Sequence, residues 1–280
     1  MLTLLLNIIC SSAITLWLKF GETRGSHSDT VTTLNYFIAG LGGLIIFFVN
    51  GGANIQQPVH NWLLTVLFAV ITGVLYLMTF LLMIRAIIRN GAGMCTLWNK
   101  AAVLIPIFTS LILWGDSPAL IGWIGVILTL ISIFLVSYQG GGIKFDKYLI
   151  ALTLCSGMGS TMLKIFQKTV DIQLNDFFVF CTFTTSFIVS LILALRKGKL
   201  QLSGLNVFTG TMVGAVNVLS DVFMMVALTQ LPAAIAYPVS SSGAISMIAV
   251  MSAILFKERM TKKQILALVL TIIGIVLINL

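Results

Sequence analysis

The chain has 280 residues, of which 59% are hydrophobic and only 9% are charged, whereas soluble domains carry about 25% charged residues. This composition excludes a soluble fold, because too little polar surface is available to keep the chain in water. The formal charge of +8 is spread between apolar runs, which argues against a nucleic-acid-binding face. The four cysteines lie in or beside apolar runs without metal-ligand spacing, which argues against a disulfide framework or a zinc site.

Ten apolar runs divide the chain. A helix needs about 20 apolar residues to cross the hydrocarbon core of a bilayer, and the runs of this length occupy residues 2–19, 31–49, 60–82, 92–114, 119–138, 147–165, 176–195, 205–228, 232–255 and 263–280. Their continuity favours helices over barrel strands, which would alternate. We expect the first run to be a retained span rather than a signal peptide, because Lys19 stands where a small-residue cleavage site would be. The sequence therefore predicts an all-α membrane protein with ten transmembrane helices.

The two halves of the chain resemble each other at an offset of 141 to 142 residues. The segment that starts at Gly73 aligns with the segment that starts at Gly214, and Met83 and Ala86 align with Met224 and Ala227. Each half holds five runs, and an odd number makes the second copy enter the membrane from the opposite side. We therefore predict two inverted five-helix repeats, at residues 1–140 and 145–280.

The basic residues are distributed unevenly between the connections. Thirteen lie in the odd-numbered connections and two, Lys164 and Lys168, in the even-numbered ones. The thirteen are Lys19, Arg24, Arg85, Arg89, Lys144, Lys147, Arg196, Lys197, Lys199, Lys257, Arg259, Lys262 and Lys263. The positive-inside rule then places the odd connections in the cytoplasm and both termini outside.

The end of the second half carries a family resemblance. The segment LPAAIAYPVS at 231–240, the turn FKERMT at 256–261 and the glycine-containing closing helix at 265–280 resemble the ten-span, EamA-like group of the drug/metabolite transporter superfamily. The resemblance implies a central cavity lined by spans 1 to 4 and 6 to 9. It also implies that spans 5 and 10 pack at the periphery, where a homodimer contact is expected. Members of the group usually have both termini in the cytoplasm, which is the opposite of what the charge distribution predicts here.

Two ionisable residues lie deep inside predicted spans, where such groups are costly and often functional. Lys100 is in the fourth span and Asp221 in the eighth. Because the ends nearest to them face opposite sides of the membrane, both groups are expected near the midplane, within about 10 Å in depth. They are candidates either for an ion pair that joins the two halves or for a site where Asp221 binds an amine or couples a proton and Lys100 binds a carboxylate or phosphate.

Polar and aromatic residues near these two are further candidates for a substrate cavity. Trp98 and Asn99 precede Lys100, Asn217 lies one turn before Asp221, and Tyr76 aligns with Asn217 in the repeat. The ninth span adds Tyr237, Ser240 and Ser241, which flank Pro238. Because proline lacks a backbone N–H, we expect a local opening of that helix.

These patterns predict a secondary transporter that moves a small polar metabolite by alternating access. One Lys and one Asp at similar depth favour an amino acid or similar zwitterion, with Asp221 as a candidate for proton coupling. A facilitative carrier for a sugar or nucleoside and a flippase for a lipid-linked sugar are the alternatives. The sequence has no P-loop and no catalytic or metal-ligand set within the spans, which disfavours a pump or an enzyme. We expect no cofactor. The expected partners are the small-molecule substrate and membrane lipid, and the expected location is the cytoplasmic membrane of a bacterium.

Overall fold

The structure of the chain is a computed structural model. It describes residues 2–102, 104–114, 120–139, 142–143, 146–198, 200–230, 233–256 and 261–278.

Helices make up most of the described chain. Their bounds are α1 Leu2–Thr23, α2 Ser28–Val49, α3 Val59–Ala101, α4 Leu104–Trp114, α5 Leu120–Ser137, α6 Lys147–Thr169, α7 Asn175–Arg196, α8 Gly204–Gln230, α9 Ala233–Phe256 and α10 Lys262–Ile278. Single 3-10 turns, Gly52–Asn54 and Ile172–Leu174, lie between α2 and α3 and between α6 and α7. A two-stranded antiparallel hairpin of β1 Tyr138–Gln139 and β2 Gly142–Ile143 connects α5 to α6.

Within the described residues, six helical segments are long and apolar enough to cross a membrane. These are Leu2–Thr23, Ser28–Val49, Val59–Gly91, Lys147–Thr169, Ile172–Arg196 and Gly204–Met224. Shorter apolar helical segments lie at Leu120–Ser132, Gly243–Phe256 and Ile265–Gly274. The helical membrane architecture agrees with the sequence, while the count of ten spans stays a prediction.

The third and fourth predicted spans differ most from the observed helices. The third span was predicted to end at residue 82, but α3 continues through the stretch that contains Arg85 and Arg89. It kinks at Gly91, whose φ of 78° and ψ of 163° are not helical. Glycine tolerates this positive φ because it has no Cβ atom. The predicted fourth span, 92–114, is split between the end of α3 and α4, and Pro106 lies in the first turn of α4. Proline lacks a backbone N–H and its ring crowds the carbonyl four residues earlier, which favours a separate start for α4 at this point.

Helix α9 does not open at Pro238. The backbone is helical from Ala233 to Phe256, through the proline and the serines that follow it. Pro238 lies in the second turn, where its missing N–H removes a single bond to the carbonyl of residue 234 and the helix continues. The predicted local opening is therefore wrong.

The helices pack in pairs that correspond between the two halves. Helix α1 packs on α8 as α6 packs on α3, and α2 packs on α8 as α7 packs on α3. Helices α2 and α7 pack on each other, and so do α5 and α10. The main apolar core lies between α2, α3, α6 and α7, where the side chains of Tyr36, Phe166, Phe178 and Phe183 are almost fully buried.

Two glycines allow corresponding helices to cross closely. A Cβ atom added at Gly73 would lie 2.5 Å from the carbonyl oxygen of Thr182 and 2.8 Å from the Cβ atom of Thr185. A Cβ atom added at Gly214 would lie 2.6 Å from the carbonyl oxygen of Asn35 and 2.8 Å from the Cβ atom of Ile38. The glycines are 141 residues apart, and both pairs of contact residues are 147 residues apart. The same crossing therefore occurs twice, once in α3 and α7 and once in α8 and α2.

Candidate functional site

Tyr36 on α2 is the centre of the polar and aromatic group that lies between these two crossings. Its side chain is 2% exposed, and its ring lies 5.5 Å from that of Phe80 and 6.2 Å from that of Phe183, between centroids. Its hydroxyl donates a hydrogen bond of 2.8 Å to the backbone carbonyl of Tyr76 on α3. Aromatic packing holds the ring in place, so the hydroxyl has a fixed position in the core of the bundle.

Asp221 on α8 lies beside this tyrosine. The Asp221 carboxyl and the Tyr76 hydroxyl both act electrostatically on the Tyr36 hydroxyl. Asp221 is half-buried although it lies well inside α8. A carboxyl that keeps some accessible surface at this depth can receive a proton or a positively charged group from a solute.

A buried amide completes this group. Asn217, one turn before Asp221, donates a hydrogen bond of 3.1 Å from Nδ2 to the Oδ1 atom of Asn35. Asn35 has no exposed surface, and its Nδ2 donor has no hydrogen-bond partner among the described residues. Because an unpaired buried donor is costly, this N–H group is a candidate contact for a bound solute or water.

A second buried polar group joins α1, α8 and α9. Asn7 donates from Nδ2 to the backbone carbonyl of Ser220 at 2.8 Å and to its hydroxyl at 3.2 Å. The hydroxyl of Ser240 donates to the Oδ1 atom of Asn7 through a short hydrogen bond. All three residues are buried. Because Ser220 directly precedes Asp221, this network fixes the turn of α8 that carries the carboxyl.

The structure thus brings together four of the residues predicted from the sequence. Tyr76 accepts a hydrogen bond from Tyr36, Asp221 acts on the same hydroxyl, and Asn217 bonds to the adjacent Asn35. Ser240 is joined through Asn7 to the turn of α8 that precedes Asp221. Sequence reasoning missed Asn7, Asn35 and Tyr36. The available signal was an uncharged polar side chain inside an apolar run, whereas the search concentrated on ionisable groups and their neighbours.

Other predicted residues do not join this group through described contacts. Trp98 is buried, and its backbone carbonyl accepts a hydrogen bond of 2.9 Å from Thr153 on α6. Asn99 is half-buried, and its Oδ1 atom has no hydrogen-bond partner among the described residues. Ser241 is half-buried. Their part in a substrate site stays a prediction.

Two predicted residues have side chains that lie outside the described part of the structure, Lys100 and Tyr237. The ion pair predicted between Lys100 and Asp221 therefore stays a prediction.

A large cavity opens at one end of the bundle, which we call the vestibule. Its volume is about 730 Å³. It is lined by Asn50, Gly51, Asn54, Ile55, Gln56, Ile172, Gln173, Asn175, Asp176 and Val226. These residues come from the α2–α3 connection, the α6–α7 connection and the last turns of α8, so the vestibule lies at the end where α8 finishes.

The connections around the vestibule are held by amide and carboxylate side chains. Asn50 donates a hydrogen bond of 2.8 Å to the Oδ2 atom of Asp176. Gln57 donates to the Oδ2 atom of Asp171 at 3.1 Å and to the Oε1 atom of Gln173 at 3.2 Å. These bonds join the α2–α3 connection to the α6–α7 connection.

The opposite end of the bundle, which we call the basic end, carries two ion pairs between helices in the described part of the chain. Lys197 after α7 lies 3.1 Å from the Oδ1 atom of Asp29 on α2, and Arg89 on α3 lies 3.2 Å from the Oδ2 atom of Asp146 before α6. The cavity beside Asp29 and Lys197 has a volume of only about 10 Å³. The larger of these two cavities is therefore the vestibule.

Asp146 also caps α6. Its Oδ1 atom accepts a hydrogen bond of 2.7 Å from the backbone N–H of Tyr148, and its Oδ2 atom accepts one of 3.3 Å from Asn90. Partial burial opposes ionisation, but the hydrogen bonds from Tyr148 and Asn90 and the charge of Arg89 outweigh it, so the pKa of Asp146 is lowered. The group is therefore charged at neutral pH.

Within the described residues, no three His, Cys, Asp or Glu side chains come close enough together to hold a metal ion. The middle of the bundle instead holds the Asp221 carboxyl together with tyrosine, amide and serine groups. Such a set can bind a polar solute and exchange a proton.

Comparison with known proteins decides the family. The sequence profile of the EamA-like transporter family matches residues 1–138 and again residues 144–280. The chain belongs to the EamA-like transporter family. It is a multi-span helical membrane protein of a transporter family, as the sequence predicted.

The fold is also known from solved structures. One crystal structure is similar over 99% of this chain and 94% of its own chain, with a TM-score of 0.65 and 15% sequence identity. At that identity the likeness establishes the fold alone. No curated protein matches the sequence.

Proposed function

We propose that this chain is a secondary transporter that moves a small zwitterionic metabolite, such as an amino acid, by alternating access. Its two halves act as inverted five-helix repeats, each contributing to a site in the middle of the bundle. Asp221 binds the amino group of the substrate and exchanges it for a proton. The observation that carries the proposal is the half-buried Asp221 carboxyl beside Tyr36.

The packing of the helices supports the inverted repeats. The close crossings at Gly73 and Gly214 correspond, as do the packing partners of α1 and α6 and of α2 and α7. Two matching units that pack against each other can exchange conformations, which is the usual source of alternating access. The wide vestibule at one end and the ion pairs at the other match a state that is open on one side.

The chemistry of the central group supports a substrate that carries an amine. Asp221 supplies a carboxylate for an ammonium group, while the unpaired Asn35 donor supplies an N–H for a carboxylate or carbonyl oxygen. Lys100 is the proposed partner for the substrate carboxylate. A sugar needs only the amide, hydroxyl and aromatic groups, so it would leave Asp221 without a role.

The test combines binding with transport. Detergent-purified protein is screened by thermal unfolding against amino acids, amines, sugars and nucleosides, since a ligand at 100 times its Kd stabilises by about 2.7 kcal/mol. The ligand that raises Tm is then followed into proteoliposomes with an imposed pH gradient. We expect Asp221→Asn to lose uptake driven by the gradient, and Asp171→Asn, a carboxylate change in the α6–α7 connection, to retain it.

Two results would contradict the proposal. One is a stabilising ligand that is a sugar or nucleoside without an amine, which would indicate a facilitative carrier. The other is gradient-driven uptake that persists in Asp221→Asn, which would remove this carboxyl from the coupling step.

A further inference from the structure

The vestibule has a binding chemistry of its own, separate from the central group around Tyr36. We infer that it is a capture site for the amine-bearing substrate, in which Asp176 binds the ammonium group before the substrate reaches Asp221. The inference rests on the proposed function for the identity of the substrate, but the site itself is argued from the cavity and its lining.

One carboxylate oxygen of Asp176 accepts no hydrogen bond from the described residues, whereas both oxygens of the neighbouring Asp171 do. The Oδ2 atom of Asp176 accepts a hydrogen bond from Asn50, and its Oδ1 atom has no hydrogen bond within the described part of the chain. Both oxygens of Asp171 are used, one by Gln57 and one by the backbone N–H of Gln173. Of these two carboxylates, Asp176 alone lines the cavity, so it is the one placed to bind a cation there.

The rest of the lining matches a zwitterion better than an anion. Five of the ten lining residues carry side-chain amides, namely Asn50, Asn54, Gln56, Gln173 and Asn175. An amide offers both donors and an acceptor, so its N–H groups can bind a carboxylate while Asp176 binds the ammonium group. The described lining contains no Lys or Arg. A carboxylate without an amine would therefore meet the charge of Asp176 with no cation to offset it.

The vestibule lies beyond the central carboxyl along the axis of α8. Val226 lines the cavity, and Asp221 lies five residues earlier on the same helix, about 7.5 Å along the axis at 1.5 Å per residue. A volume of about 730 Å³ is ample for an amino acid, since drug-sized ligand pockets begin at roughly 300 Å³. A substrate captured in the vestibule would therefore be bound at the end of α8 that lies beyond Asp221.

Three probes of nearly equal shape separate the charges of the ligand. They are leucine, 3-methylbutylamine, which lacks its carboxylate, and 4-methylpentanoate, which lacks its amine. Binding to the purified full-length protein is measured by saturation-transfer NMR, which detects weak ligands. We expect leucine and the amine to bind and 4-methylpentanoate to give no signal above its level in empty detergent micelles.

The variants locate the binding. Asp176→Asn keeps the oxygen that accepts from Asn50 and removes the charge, so we expect about tenfold weaker binding of the amine, as for the loss of one hydrogen bond to a charged group. Asp171→Asn is the matched control and should bind as the wild type does. In Asp221→Asn, the capture site should still bind the amine even though gradient-driven uptake is lost.

Each other outcome overturns the inference. Equal binding of 4-methylpentanoate and leucine would show that charge does not select the ligand. Binding that survives Asp176→Asn but is lost in Asp221→Asn would leave the proposed function standing with a single central site. The absence of a signal from all three probes would exclude a capture site for amines, and gradient-driven uptake would then test the proposed function separately.

Discussion

The two halves of the chain use the same helix crossing for different chemistry. At the first crossing Gly73 lies against Thr182, and at the second Gly214 lies against Asn35. One turn and two turns beyond these glycines, the first half has Tyr76 and Phe80 where the second half has Asn217 and Asp221. The backbone contact is thus common to both halves, while the carboxyl occurs in one. This difference indicates that the crossing serves the fold and that the residues beside it serve the substrate.

The same contrast occurs at the two ends of the α2 and α7 pair. Asp29 bonds to Lys197 at the basic end, and Asp176 bonds to Asn50 at the vestibule. The two aspartates are 147 residues apart, and so are their two partners. The contact at the basic end is therefore an ion pair, and its counterpart at the vestibule joins an amide to a carboxylate. Among the described residues, Asp176 has no ion-pair partner. The vestibule gains its free carboxylate from this single difference.

The largest expected effect tests whether the crossings are equivalent. Gly73→Ala and Gly214→Ala each place a Cβ atom against backbone, so each should destabilise the protein by about 1–3 kcal/mol through overpacking. Gly204→Ala is the control, because nothing lies within 4 Å of its added Cβ atom. Thermal unfolding in detergent measures all three. If one central glycine accepts alanine as readily as Gly204 does, the crossings are not equivalent.

The next largest effect is expected from a substitution that makes the two halves alike at the position of Tyr36 and Phe183. Tyr36→Phe gives α2 the residue that α7 has at Phe183, and it removes the hydrogen bond to the carbonyl of Tyr76. We expect a loss of stability of about 1 kcal/mol and a larger relative fall in the initial rate of transport, because the hydroxyl beside Asp221 is gone. Tyr148→Phe, at the start of α6, should keep its rate. Equal rates for both variants would remove Tyr36 from the site.

A smaller effect is expected when the Asp29–Lys197 contact is made like the Asn50–Asp176 contact. Lys197→Asn converts the ion pair with Asp29 into the amide contact of the other end. The side chain of Lys197 is 42% exposed, so the loss should not exceed about 1 kcal/mol. The wild-type advantage in Tm should shrink as salt is added, because salt screens exposed ion pairs. An advantage that is independent of salt would show that the pair acts through packing.

The smallest effect concerns the capping carboxylate at the basic end. Because the pKa of Asp146 is lowered in the folded protein, its ionised form stabilises the fold above the unfolded pKa of about 3.9, and this stabilisation is lost as the pH falls through the folded pKa. Asp146→Asn should therefore unfold slightly more easily than wild type at neutral pH. The difference in Tm should vanish in strong acid. A difference in Tm that stays constant from neutral to acidic pH would show that the substitution acts through the geometry of the helix cap.

Much of the fold follows from the sequence because apolar length governs membrane helices. The predicted and observed bounds of α5, α7, α8 and α9 agree within two residues. The predictions failed where local backbone chemistry decides the path. The stretch before Gly91 stays helical despite its arginines, and Pro106 lies in the first turn of α4, inside a run that was predicted to be one span. Hydropathy alone does not register either effect.

The candidate site was harder to derive because the repeat offset changes along the chain. An offset of 141 aligns α3 with α8, whereas α2 aligns with α7 at 147. This difference of six residues between the two offsets hid the correspondence of Tyr36 with Phe183. The central position of Tyr36 was therefore not predicted. Asp221 was predicted as an ionisable group inside a span, Asn217 as its neighbour one turn earlier, and Tyr76 from its alignment with Asn217. Their role in binding stays a prediction. The vestibule depends on two connections distant in sequence, so no local pattern indicates it.

The close crossing at Gly214 also determines how far the end of α8 moves when the helix tilts. From that contact to the end of the helix at Gln230 there are 16 residues, or roughly 24 Å at 1.5 Å per residue. A tilt of about 10° around the crossing would displace the far end by about 4 Å, while the atoms at the glycine would hardly move. Val226, which lines the vestibule, lies on this part of α8 and would move with it. A modest rotation about this crossing is therefore enough to change the side of the vestibule that α8 forms.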